Sequence, residues 1–183
     1  MKITKDNAVL LIIDVQEKLV PAMSEPGKCV ENTVKLTKGM NILNIPIVVS
    51  EQYPKGLGST VTKVKEVLEE SKEANVFEKR AFSALDVKEI KDKLSKYDKD
   101  YVVICGVESH ICVLQTIMAL SEEGFIPVLV EDCVFSRKEN DKIQAVKRAA
   151  MEGAIITTYE AILFELLGDS AAPEFKEISN LIK

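Results

Sequence analysis

Six short apolar runs recur along the chain, at positions 8–13, 46–50, 75–77, 101–105, 126–130 and 154–157. They are rich in Val and Ile and show no alternation of apolar and polar positions, which is how strands covered on both faces look. The run at 75–77 is the weakest of the six. Between the runs, apolar residues return at helical spacing over 29–43, 60–70, 85–96, 111–123 and 138–151. Gly124 and Gly153 stand just beyond two of these stretches, where a helix C-cap is expected. Strand–helix alternation of this kind predicts βαβ units: a three-layer α/β/α architecture with a mainly parallel, about six-stranded, Rossmann-like sheet. Positions 159–167 and 173–183 read as one or two closing helices. With no linker, repeat or low-complexity tract, residues 1–183 are expected to form a single domain.

Composition narrows the classes of function. A chain of 183 residues can bury roughly 70% of its unfolded surface, so it needs neither disulfide nor metal to fold. Its net charge of −5, without any basic tract, argues against nucleic acid or an anionic membrane as partner. The polar opening residues lack the pattern of a signal peptide, and no stretch approaches the roughly 18 apolar residues of a membrane span. Cys29, Cys105, Cys112 and Cys133 form no CxxC and no framework spacing, so they read as reduced thiols. A cytoplasmic protein with a small-molecule partner is the expectation.

In parallel sheets ligands bind beyond the carboxyl ends of the strands. The residues leaving the strands are therefore the candidates: Asp14 after the first, Glu78-Lys79-Arg80 after the third, Gly106 to Cys112 after the fourth and Glu131-Asp132-Cys133 after the fifth. Cys112 in a first helical turn would meet unpaired N–H groups and a dipole that favour a thiolate, with a neighbouring ammonium lowering its pKa further. An aspartate on an adjacent strand end could take its proton and return it to a leaving group. Each residue also has a plainer reading: Cys112 as an inert core thiol, Asp14 as a helix cap, Lys79 as a solvated surface lysine. His110, the single histidine, stands about 200° around a helix from Cys112 and suits a pocket wall or loop hydrogen bond. The turn Gly56-Leu57-Gly58-Ser59-Thr60 reads either as a glycine-rich loop that holds an anion before a helix or, more plainly, as a flexible loop with an N-cap at Ser59 or Thr60. No GxGxxG, GxxxxGK[ST] or GxSxG motif is present.

The set Asp14-Val15-Gln16, Lys79-x-x-Phe82-Ser83 and Gly106-Val107-Glu108-Ser109-His110-Ile111-Cys112 resembles the isochorismatase-like cysteine hydrolase superfamily. Gln52-Tyr53-Pro54-Lys55-Gly56-Leu57-Gly58, Glu131-Asp132-Cys133, Gly168-Asp169 and Phe175-Lys176-Glu177-Ile178 are similar to its subgroup of isochorismatase domain-containing proteins. The resemblance spans essentially the whole chain. It implies a catalytic triad of Asp14, Lys79 and Cys112, with Cys112 attacking a carbonyl carbon to form a thioester. It further implies a cis peptide before Glu108 and an oxyanion hole from the backbone N–H groups of Glu108 and Cys112. Gln16, Gln52, Tyr53, Phe82 and Glu108 are expected to line the substrate pocket, and a small amide or imide is the expected substrate class. Nicotinamidases of the superfamily hold a metal with an aspartate and histidines, so a chain with one histidine is expected to bind no metal and no other cofactor. A homo-oligomer, dimer or tetramer, is also implied.

Two rival readings keep the fold and change the function: a scaffold without turnover, and a thiol redox sensor built on Cys112. Arg80 and Arg137 are read either as recognising a substrate carboxylate or as members of solvated ion pairs.

Overall fold

The computed structural model describes residues 2–183. Its six strands are β1 (Ala8–Ile13), β2 (Ile47–Gln52), β3 (Ala74–Lys79), β4 (Tyr101–Val107), β5 (Ile126–Phe135) and β6 (Ile155–Thr157). They form one sheet in the order β3-β2-β1-β4-β5-β6, and every pairing is parallel. Chain order reverses between β1 and β4, which makes that pair the switch point of the sheet.

Helices cover both faces. In chain order they are α1 (Pro26–Ile42), the short α2 (Pro54–Leu57), α3 (Thr62–Glu69), α4 (Lys88–Tyr97), α5 (Leu114–Glu122), α6 (Glu139–Met151), α7 (Tyr159–Leu167) and α8 (Phe175–Ile182). One core joins Leu10 and Ile12 of β1 to Leu36, Val64, Leu163 and Ile178 of α1, α3, α7 and α8. The other joins Val9, Leu11 and Ile13 to Ile90, Ile117 and Ala149 of α4, α5 and α6. Successive β1 side chains thus alternate between two apolar layers, which is why no alternation of polarity is visible along the run.

Several elements differ from expectation. β3 extends to Lys79 and β4 to Val107, so the groups expected just beyond β3 are partly within it. β5 continues to Phe135: its register with β4 shifts, Ile104 pairing with Leu129 but Gly106 with Val134. Glu131-Asp132-Cys133 therefore lies inside the strand and away from its carboxyl end. There the Asp132 carbonyl accepts from Asn32 Nδ2 at 2.6 Å and its Oδ1 accepts from the Tyr159 N–H at 2.9 Å, so Asp132 serves the α1 and α7 layer. Thr60 does not cap α3 with its side chain; its N–H and hydroxyl donate to Glu51 Oε1 at 2.6 and 2.7 Å. A buried carboxylate with no cation needs such donors, and this need outweighs capping.

Gly106 fixes the approach of the two central strands. Its φ is +120°, and a Cβ there would stand 2.0 Å from the Ile13 carbonyl oxygen. Gly106→Ala is expected to destabilise the fold by about 3 kcal/mol or more, combining backbone strain with overpacking. Urea denaturation of the variant checks this, and an unchanged midpoint would contradict it.

Candidate active site

The chain leaves β1 through Asp14, whose φ of 54° turns the backbone out of the sheet at the switch point. Asp tolerates this left-handed conformation better than most side chains. The Asp14 N–H donates to the Ser50 carbonyl at 3.1 Å, and its Oδ1 accepts from Ser50 Oγ at 2.7 Å. Oδ2 stands 2.7 Å from Lys79 Nζ, and both side chains are fully buried. The Lys79 ammonium also donates to Gln52 Oε1 at 2.6 Å, to the Phe82 carbonyl at 3.0 Å and to the Ala81 carbonyl at 3.2 Å.

Cys112 arrives from the other side of the switch point. It lies in a π-helical turn, Ser109–Val113, that precedes α5, with the Val113 N–H bonded to the Glu108 carbonyl five residues back. Helical periodicity in the sequence does not distinguish such a turn from the start of an α-helix. The residue is 7% exposed, and its thiol interacts with both Asp14 and Lys79. Thr116 Oγ1 donates to the Cys112 carbonyl at 2.7 Å and accepts the Ala84 N–H at 2.9 Å. The 81–84 segment, whose carbonyls bind Lys79, is thereby tied to the turn that carries the thiol.

Burial raises the pKa of Asp14 above its usual range, with Lys79 and the hydrogen bond from Ser50 opposing. Burial and then the Asp14 carboxylate push the Cys112 thiol up to about 12, with Lys79 pulling it down. Burial thus disfavours the thiolate of Cys112 and makes Asp14 a stronger base than an exposed carboxylate. This corrects the expectation of a preformed thiolate: desolvation and a like charge outweigh the single ammonium. Chemically, the arrangement can pass the thiol proton to Asp14 as sulfur attacks an electrophile.

The expected pocket residues separate into two groups. Tyr53 and Phe82 are 40% and 55% exposed beside the site. The Arg80 guanidinium stacks on the Tyr53 ring at 4.0 Å. Gln16, by contrast, is fully buried: its Oε1 accepts the Gln52 N–H at 2.6 Å, and its Nε2 donates to the Gln52 and Gly58 carbonyls. It stands behind the site and does not line it. Gln52 is also committed, its Nε2 donating to the Arg80 carbonyl at 2.7 Å and its Oε1 accepting from Lys79. Glu108 Oε2 pairs with Arg137 Nε at 2.8 Å. His110 Nδ1 lies 3.0 Å from Ser136 Oγ at the end of β5. The peptide joining Val107 and Glu108 is cis.

Sequence reasoning missed Ser50 and the Ala81 and Phe82 carbonyls. Ser50 closes an otherwise apolar run, a signal open to detection, whereas main-chain acceptors carry none. Among the described residues no three His, Cys, Asp or Glu side chains converge as metal ligands would. No helix is long and apolar enough to cross a membrane.

The family model of the isochorismatase domain matches residues 8–161, from β1 to the first residues of α7 and including all the residues of this site. The chain belongs to the isochorismatase family. Family membership supports a hydrolase. Among its relatives, the secreted isochorismatase effector Isc1 of Phytophthora sojae is 36% identical over 97% of this chain and 85% of that protein. Isochorismatase domain-containing protein 1 of Danio rerio is 40% identical over 96% of this chain, which spans 61% of that longer protein. Among solved structures, that of a protein described as the MAR1 ribonuclease of Caenorhabditis elegans superposes with a TM-score of 0.94. It is 37% identical and covers 100% of this chain and 92% of its own.

Two predictions arise from the electrostatics of this isochorismatase-family site. Iodoacetamide is expected to modify Cys112 in the native protein and to spare Cys29, Cys105 and Cys133, all 0% exposed. Asp14→Asn removes the repelling charge and should accelerate that reaction, while Lys79→Met should slow it; peptide mass over a pH series reads both. Lys79→Met also leaves Asp14 buried without a cation, a loss of about 3–5 kcal/mol at neutral pH. In that variant the folded pKa of Asp14 lies above its unfolded value. Stability is therefore fullest below the unfolded pKa and falls as pH rises through the folded one. Thermal unfolding at pH 4 and pH 8 should show the deficit of the variant smaller at pH 4.

Proposed function

We propose that the protein is a cysteine hydrolase that cleaves the carbonyl–nitrogen bond of a small amide or imide. The observation that carries this reading is the fully buried contact of Asp14 Oδ2 with Lys79 Nζ at 2.7 Å, with the Cys112 thiol against both. Cys112 Sγ bonds to the substrate carbonyl carbon as its proton passes to Asp14. The oxyanion that forms is received by the backbone N–H groups of Glu108 and Cys112. Collapse breaks the carbon–nitrogen bond, and Asp14 returns the proton to the departing nitrogen. Water then attacks the thioester and gives a proton to Asp14, the carboxylic acid leaves, and that proton restores the thiol. Lys79 holds the charge of carboxylate and forming thiolate through both halves. Tyr53 and Phe82 supply the apolar walls of the pocket, and no metal or cofactor enters the scheme.

An RNA substrate, as the description of the C. elegans protein would suggest, is disfavoured here. The chain carries a net charge of −5 with no basic tract, and the lysine at the centre of the site is fully buried and paired, whereas phosphodiester binding draws on several accessible cations along a strand. Four free cysteines fit a reducing, cytoplasmic setting.

Small amides and imides presented to the protein, followed by acid quench, should leave an acyl mass on the Cys112 peptide. Asp14→Asn should reduce turnover by about 10²–10⁴-fold. Undiminished turnover by Cys112→Ser would sink the reading.

A further inference from the structure

The Lys79 ammonium must act on two groups at once. It sits 2.7 Å from Asp14 Oδ2, and the same charge is what lowers the thiol of Cys112. An ammonium on a four-carbon stem has no intrinsic reason to stay near the thiol as well, since it could swing about the carboxylate and keep that contact. Its three protons are instead directed at neutral oxygens: Gln52 Oε1 at 2.6 Å and the Phe82 and Ala81 carbonyls at 3.0 and 3.2 Å. Gln52 makes the shortest of these contacts and is the only side chain among the three.

Gln52 is itself held without freedom. Its Nε2 donates to the Arg80 carbonyl at 2.7 Å, which leaves Oε1 facing Lys79 and excludes the flipped amide. Its backbone is gripped by one buried side chain: Gln16 Oε1 accepts its N–H at 2.6 Å, and Gln16 Nε2 donates to its carbonyl at 3.0 Å. The second Gln16 donor bond, 2.6 Å to the Gly58 carbonyl, anchors that clamp to the loop before α3. Every polar atom of Gln16 is spent, and it is 0% exposed.

We propose that Gln52, clamped by Gln16, is a positioning residue: its amide oxygen holds the Lys79 ammonium between Asp14 and Cys112 as a neutral acceptor. The inference rests on the triad reading above and gives both glutamines a role distinct from lining the pocket. Neutrality is the point of the amide. A water-free ammonium needs oxygen partners, and a second carboxylate in this place would cancel the charge that the thiolate requires.

The test is the pH dependence of Cys112 alkylation by iodoacetamide in the full-length protein, read by peptide mass. The charged groups acting on this thiol are Asp14 from the end of β1 and Lys79 from β3. Gln52→Glu, close to isosteric, should raise the Cys112 pKa by about one unit and slow alkylation at pH 8 about tenfold. Gln52→Met removes the acceptor and lets the ammonium, still in contact with Asp14, swing away from the thiol, with a slowing of about threefold, half a unit, expected. Thr60→Val, which removes one of the two bonds from Thr60 to Glu51 of β2 and keeps the N–H bond, should lower the melting temperature without moving the profile. Folded Gln52 variants whose profile superposes on the parent would overturn the proposal, as would an equal shift in Thr60→Val, which would mark general loosening. Should Gln52→Met fail to fold, Gln52→Glu alone decides. A parent profile insensitive to Lys79→Met would overturn the triad reading itself; sensitivity to Lys79 with indifference to Gln52 overturns only the positioning role.

Discussion

A carboxylate and an ammonium, both stripped of water, meet at the switch point of this sheet. Taking each ion out of water costs several kcal/mol, and their mutual attraction offsets this only if the remaining lone pairs and protons find partners. Much of the local structure supplies those partners. Ser50 serves the second oxygen of Asp14, and Gln52, Ala81 and Phe82 serve Lys79. Remove one ion and the other is left as an uncompensated buried charge, so folding and the proposed chemistry depend on the same contact.

The architecture delivers that contact from three separated stretches of chain. Parallel strands bring the ends of β1, β2 and β3 to one edge, where Gln52 pairs in register with Lys79 and Ile13 with Ser50. β4 lies against the other side of β1, close enough that only a glycine fits opposite the Ile13 carbonyl. Thr116 then links the π-helical turn to the 81–84 segment across the crevice. The layer of α1, α3, α7 and α8 completes the other core. Asp132 belongs to that side, despite standing near the end of a strand in the sequence.

Burial sets the protonation pattern. A helix-start cysteine beside a lysine is commonly a thiolate, yet here desolvation and the adjacent carboxylate dominate, and the thiol rests protonated. The same desolvation raises the basicity of Asp14, so the proposed proton acceptor is tuned by the burial that disfavours the free thiolate. A neutral thiol at rest also protects Cys112 from oxidation, which weighs against the redox-sensor alternative.

Apolar runs and helical spacing were enough to give the parallel sheet, its two covered faces and six strands. The placement of Asp14, Lys79 and Cys112 at strand ends followed from chain order, because parallel strands share one functional edge. The family motifs pointed to the same residues. Tertiary structure alone decided which neighbours those residues have. Gln16 and Gln52 read as pocket residues in the sequence and prove to be a clamp, since a hydrogen-bond partner 36 residues away leaves no local trace. The extension of β5 past Cys133 depends on a register shift against β4, and the π-helical turn on a single carbonyl bond. Local pattern reports which surfaces each segment must bury. The direction of a proton, or the charge left on a thiol, depends on the summed field of groups that only the folded chain brings together.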